Sequence, residues 1–196
     1  MNPDTLRYAG LGPRLAANLL DFVIMIPLIA LSFWGSSHFR LFDVYYFLPS
    51  LLLGLFYTVY LVRRYGGTPG KLLVGIRIRK LDGEPVGYRE AFLRDLPDAL
   101  FGILSSVGMI LYVINLSDTE YHSSSLIERS KRMAELAPSW LAPLQWLDMA
   151  WFWCELLVLL TNRKRRAIHD FIAGTVVVHT SPKVTPPEVP DSAFSA

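Results

Sequence analysis

The sequence predicts an all-α membrane protein: a four-transmembrane-helix bundle with a small cytoplasmic β-element and a candidate outer amphipathic helix. Three observations carry this. Of 196 residues, 52% are hydrophobic and 18% charged, and the mean hydropathy is +0.34. Four long apolar runs lie at about 13–34, 44–62, 96–116 and 141–161, each near the ~20 residues that cross a hydrocarbon layer as a helix. Lys and Arg concentrate between the second and third runs and after the fourth, as cytoplasmic segments do.

In the first run Gly12 can cap a helix and Pro13 suits its first position, where no backbone donor is needed. Arg14, Asn18 and Asp21 then make a polar stripe. Arg14 and Asp21 share one helix face, about 10 Å apart along the axis. A charge in a spanning helix costs roughly 3 kcal/mol or more and faces protein or trapped water. Arg14 can instead snorkel to the headgroups, whereas Asp21 needs a partner. The N-terminus lacks the form of a signal peptide, so the first run is expected to stay in the mature chain.

The second run, Val44–Val62, is uncharged and has Tyr45, Tyr46, Tyr57 and Tyr60 towards its ends, where interfacial aromatics belong. A polar segment, Arg63–Arg94, follows. Within it L-L-V-G-I-R-I-R-K alternates, Asp82-Gly83 signals a tight turn, and E-P-V-G-Y can return. With the later G-T-V-V-V-H-T it predicts the β-element. The third run begins with Pro97 and Asp98. Asp118–Ser139 is polar and helix-prone, with Leu126, Met133 and Leu136 on one side, and reads as a helix resting on the outer surface. The fourth run is Trp-rich and holds Asp148 and Glu155. One membrane domain, 1–180, is therefore expected, with a disordered Pro/Ser-rich tail at 181–196.

Both termini are expected in the cytoplasm. The R-K-R-R run at 163–166 directly follows a span and reads as a topology anchor. Together with a net charge of only +2, this leaves nucleic acid without support. Cys154 is the one cysteine, which excludes an internal disulfide and a cysteine metal cage.

Asp21 and Glu155 should lie at similar depth, and Asp98 enters near the same face. Turned inward, Arg14, Asn18, Asp21, Asp98 and Glu155 form a cluster with more acid than base. Carboxylates sharing one arginine in a low-dielectric site cannot all ionise comfortably, which suits proton or cation exchange. A polar clasp that fixes helix packing is the other reading. G-G-T-P-G-K (66–71) is too short for a phosphate loop and has Leu72 where Ser or Thr would meet magnesium. It predicts a rigid turn, with Lys71 against headgroups or an acidic partner. His169-Asp170 makes a poor catalytic dyad because neighbours diverge on a helix. Asp170 is expected to pair with a basic residue or cap an amide. No enzyme, cofactor or metal is expected.

Taken together, P-R-L-A-A-N-L-L-D, G-G-T-P-G-K-L-L-V-G-I-R-I with D-G and A-F-L-R behind it, and R-R-A-I-H-D-F-I-A-G-T-V-V-V resemble the RDD family of bacterial membrane proteins. They cover most of the chain apart from 118–141 and the tail. By that resemblance Arg14, Asp21 and Asp170 are the signature residues, and Gly67, Thr68, Pro69, Gly70 and Lys71 match its loop motif. The family includes members proposed to exchange sodium, lithium or potassium for protons. The resemblance thus implies a multi-pass protein of the bacterial inner membrane that handles Na+, K+, Li+ or H+. A homo-oligomer is expected because four spans make a thin bundle. The alternative is a non-transporting scaffold or assembly factor that docks a partner through its cytoplasmic face.

Overall fold

Residues 7–123, 128, 131–132 and 135–180 are described by the computed structural model, and four helices in it are long and apolar enough to cross a membrane. Helix α1 spans Leu11–His38. Helix α2, Phe42–Leu55, runs into a π-helical turn at Phe56–Tyr60 and continues as α3, Leu61–Tyr65. Gly66 ends α3 in the left-handed region at φ 84°, with its N–H bonded to the Val62 carbonyl at 2.8 Å, a stop that favours glycine. Thr68 is extended and Pro69 opens the short α4, Pro69–Leu73. This is the rigid turn expected of G-G-T-P-G-K.

Leu72 and Leu73 fall in α4, so the strand predicted from L-L-V-G-I-R-I-R-K is confined to β1, Ile76–Lys80. It pairs antiparallel with β2, Thr175–His179, Ile76 opposite His179 and Lys80 opposite Thr175. Pro85 bridges back to Arg79, which supplies the return expected of E-P-V-G-Y. The N-terminal strap adds a contact that the pattern did not announce: the Ala9 N–H donates to the Val177 carbonyl at 2.8 Å, and Tyr8 bridges Val178.

Helix α5 spans Tyr88–Ile114 and starts earlier than the expected third span at about 96. The Glu90 carboxylate accepts the Gly87 N–H at 2.7 Å, satisfying a donor at the helix start, and Ala91 is buried in the core. The polar first turns are thus helix rather than loop. Helix α6, Asp118–Ser123, docks at the far end, where Arg40 donates to Asp118 at 2.5 Å and the Tyr121 hydroxyl bonds the Ser36 carbonyl. Of the rest of the expected outer helix, Leu126 and Met133 lie outside the described residues, as does the tail, while Leu136 is helical and exposed. Helix α7, Leu141–Thr161, coincides with the fourth predicted span, and the six-residue α8, Ile168–Ala173, leads into β2.

The main core sits at the sheet end, where Ala9, Ala17, Val62, Ile76, Ile78, Val86, Ala91 and Val177 pack together. A smaller one, around Tyr112, Val113, Leu116 and Tyr121, closes the opposite end. Between them Phe22, Leu52, Leu104 and Trp146 are exposed. Lipid tails cover such side chains as well as a protein core would.

Candidate functional site

The sheet end holds two polar nodes and an acid-lined cleft. The first node is built on Asp170, which is fully buried in the first turn of α8. Its Oδ2 accepts Arg14 Nη1 at 2.8 Å and the Ala167 N–H at 3.1 Å. Its Oδ1 accepts Thr175 Oγ1 at 3.1 Å and an N–H of Arg94. Arg14 also donates to the Arg165 carbonyl at 2.6 Å and the Ala9 carbonyl at 3.3 Å. Arg166 closes the back of the node, bonding the carbonyls of Asp170 at 2.8 Å and Thr175 at 3.0 Å. Two guanidiniums from α1 and α5 converge on one carboxylate from α8. That ties the first, third and last parts of the chain together, and buried charges require such pairing. Asp170 thus both pairs with basic residues and caps an amide.

The second node is built on Asp21. Tyr57 and Thr68 hydroxyls each donate to it at 2.5 Å, the Gly70 N–H donates at 2.7 Å, and Lys71 Nζ stands 3.9 Å away. Gly70 lies directly on the α1 backbone: a Cβ there would collide with the Ala17 carbonyl and stand 2.7 Å from Asp21 Cγ. The glycine lets α4 approach, and the aspartate then binds the exposed backbone and hydroxyl of the turn. Asp21 does have a partner set, though a different one from that expected. Arg14 pairs with Asp170 rather than with Asp21, so the predicted grouping of carboxylates around Arg14 is corrected. Separation along the helix axis explains it, because each residue of the stripe reaches a different neighbouring element.

The cleft, about 630 Å³, brings Asn18, Lys71 and Arg94 together with Asp95, Asp98, Asp148 and Glu155. Asn18, Asp98 and Glu155 therefore line one cleft, while Arg14 and Asp21 belong to the nodes. Lys71 joins cleft and node, lining the one and facing Asp21 in the other. Glu155 accepts the backbone N–H of His169 at 3.0 Å and bonds its ring Nδ1. Asp98 accepts the Trp151 indole N–H at 3.0 Å.

His169, set aside on sequence, is thus a wall of the site. Its Nε2 is buried, has no hydrogen-bond partner among the described residues, and lies 3.9 Å from Asp170 Oδ1. Burial pushes its pKa well below the ordinary value, and the positive charges of Arg94, Arg14 and Lys71 push in the same direction. Burial favours a neutral ring, and the tautomer that donates from Nδ1 to Glu155 leaves Nε2 as an acceptor. Asp95 and Asp148 were not singled out either. Asp95 lay next to the expected third span, and only its helical start reveals that it projects with Asp98. Four carboxyls against one lysine and an already paired arginine leave the cleft rich in acid, an arrangement that attracts cations or retains protons.

The RDD family model matches residues 8–174. The chain is 25% identical over 180 residues to the uncharacterized protein YckC of Bacillus subtilis (strain 168), a match covering 89% of this chain and 86% of that one. No solved structure matches. Two of the residues assigned to the family signature, Arg14 and Asp170, bond directly across 156 positions of sequence. The chain is a membrane protein and belongs to the RDD family.

Proposed function

We propose that the protein exchanges monovalent cations and protons across the bacterial inner membrane in an antiporter-like manner, with no enzymatic step. Glu155 and Asp98 are the carboxylates that gain and lose a proton or Na+, K+ or Li+. The observation that carries this reading is the cleft itself, a space of about 630 Å³ between membrane helices lined by four carboxyl groups. Asp21, a carrier candidate by sequence, becomes a clasp, because three hydrogen-bond donors and Lys71 already occupy it. The sheet end is cytoplasmic in this proposal, since Arg63, Arg64, Arg89 and Arg163 gather there. Asp98 and Asp148 stay exposed at the cleft in a single chain, and the cost of leaving such carboxyls open to lipid supports a homo-oligomer that closes the cleft off.

Proteoliposomes with opposed sodium or potassium and proton gradients test the proposal. Cation-dependent pH change is expected for the wild type, with loss in Glu155→Gln at unchanged folding. A wild type with no flux under either gradient overturns it. That result would favour the scaffold reading, which draws on the commitment of Arg14, Asp21 and Asp170 to holding the fold.

A further inference from the structure

We infer that each protomer carries its own water-filled lane, lined by the hydroxyls of Thr58, Ser50 and Ser106, from the acid cleft to Asp43 at the opposite end. The use of this lane as an ion route rests on the cation/proton proposal; its existence does not. The acid cleft shares Thr58, Asp95 and Asp98 with a second cleft of about 300 Å³ between α2 and α5. The second shares Ser50 and Ser106 with a third of about 350 Å³, whose lining reaches Asp43. The shared residues place the three clefts end to end along α2 and α5, and as the inferred lane they form one passage. Thr58 to Asp43 covers fifteen residues of nearly continuous helix, about 22 Å at 1.5 Å per residue, most of a ~30 Å hydrocarbon layer.

The middle cleft is walled largely by Phe47, Leu51, Leu55 and Ile103, and its polar contacts come from the hydroxyls that line it and from Asp95 and Asp98 at the acid end. Thr58 Oγ1 donates to the Gly54 carbonyl at 2.8 Å, Ser50 Oγ to Phe47 at 2.9 Å, and Ser106 Oγ to Gly102 at 2.8 Å. The Ser50 and Ser106 protons are committed to their own helices, which leaves oxygen lone pairs as acceptors for a cation or a donating water, while Thr58 also hydrogen-bonds Asp95 at the mouth of the acid cleft. Gly54 and Gly102 line the middle cleft, and a Cβ at either would meet nothing within 4 Å. The lane is therefore open at both, and it can be filled there without a clash. Serines bonded to their own helix also occur on lipid-facing surfaces, so a lipid-facing neighbour on α2 is the proper control.

In a Cys154→Ser background, Ser50→Cys, Ser106→Cys and Leu52→Cys are reconstituted singly and exposed to a small charged methanethiosulfonate. Leu52 is 58% exposed on the lipid side. The first two are expected to react at least tenfold faster than Leu52→Cys, and equally slow reaction at all three positions overturns the lane. Gly54→Leu and Gly102→Leu are expected to lower cation flux at least tenfold in the wild-type background. If Glu155→Gln stops flux while both leucine variants conduct as wild type does, the lane is wrong and the cation proposal survives. If the serine positions label yet the wild type carries no flux, the lane stands as a water path and the cation proposal fails.

Discussion

Asparagine at position 170 removes a negative charge from between two buried arginines while keeping the size of the side chain. The Asp170 carboxylate receives four hydrogen bonds, three from the side chains of Arg14, Arg94 and Thr175 and one from the Ala167 N–H. An amide offers one carbonyl oxygen, so the donors at one end lose their acceptor, and Arg14 and Arg94 face each other without a counter-charge. Breaking a buried pair by removing one partner costs about 3–5 kcal/mol. For a chain of this size each kcal/mol shifts the thermal midpoint by roughly 2–4 °C, so Asp170→Asn is expected to lower Tm by about 10 °C. Tryptophan fluorescence melts in nanodiscs read this directly. In a double-mutant cycle, Arg14→Gln with Asp170→Asn should show an interaction energy above about 1 kcal/mol. A midpoint within about 2 °C of wild type would refute the claim that this node holds the two helices to the sheet.

Gly70→Ala is expected to destabilise the chain by about 1–3 kcal/mol, because the added methyl strikes the α1 backbone at Ala17 and Asp21; Gly54→Ala, with open space at its Cβ, should match wild type in the same melts. Tyr57→Phe removes one donor to Asp21 and should cost about 1 kcal/mol, whereas Asp21→Ala, which strands every donor of that node, should cost more; equal effects would count against the clasp. His169 carries the pH dependence. Its folded-state pKa lies well below the ordinary 6.5, so as pH falls past about 6.5 the unfolded ring takes up a proton that the folded ring refuses. Stability therefore declines with falling pH, by up to about 1.4 kcal/mol per unit from this group. His169→Gln should flatten the stability curve between pH 6.5 and about 5, and an unaltered slope in nanodisc melts would contradict a neutral buried ring.

The spans and the β-element were legible because each rests on a local pattern. Twenty apolar residues announce a helix in lipid, and V-V-V after a glycine announces a strand. The partners of the polar stripe were not legible for a geometric reason. Arg14 and Asp21 share a face, but the rise between them sends one to α8 and the other to α4, and nothing local to α1 encodes which neighbour stands at which height. The start of α5 was hidden by its charges, although G-Y-R-E at 87–90 is a capping signal in retrospect. The π turn at Phe56–Tyr60 leaves no mark in hydropathy. Yet it carries adjacent residues with separate duties: Tyr57 bonds Asp21, and Thr58 lines the cleft. His169 was passed over because α8 is too short for periodicity to reveal what it faces.

Strand β2 and Asp170 come last in chain order among the described elements, yet they complete contacts begun by Ala9, Arg14 and Arg94. During biosynthesis both arginines must therefore wait, unmatched, until the final helix has entered the bilayer and the segment behind it emerges from the ribosome. A released chain truncated before Asp170 would hold all its hydrophobic helices but an unlatched base, and quality-control proteases should clear it faster than a chain that carries Asp170 and β2. Arrival of Asp170 and β2 is thus the event that locks the bundle.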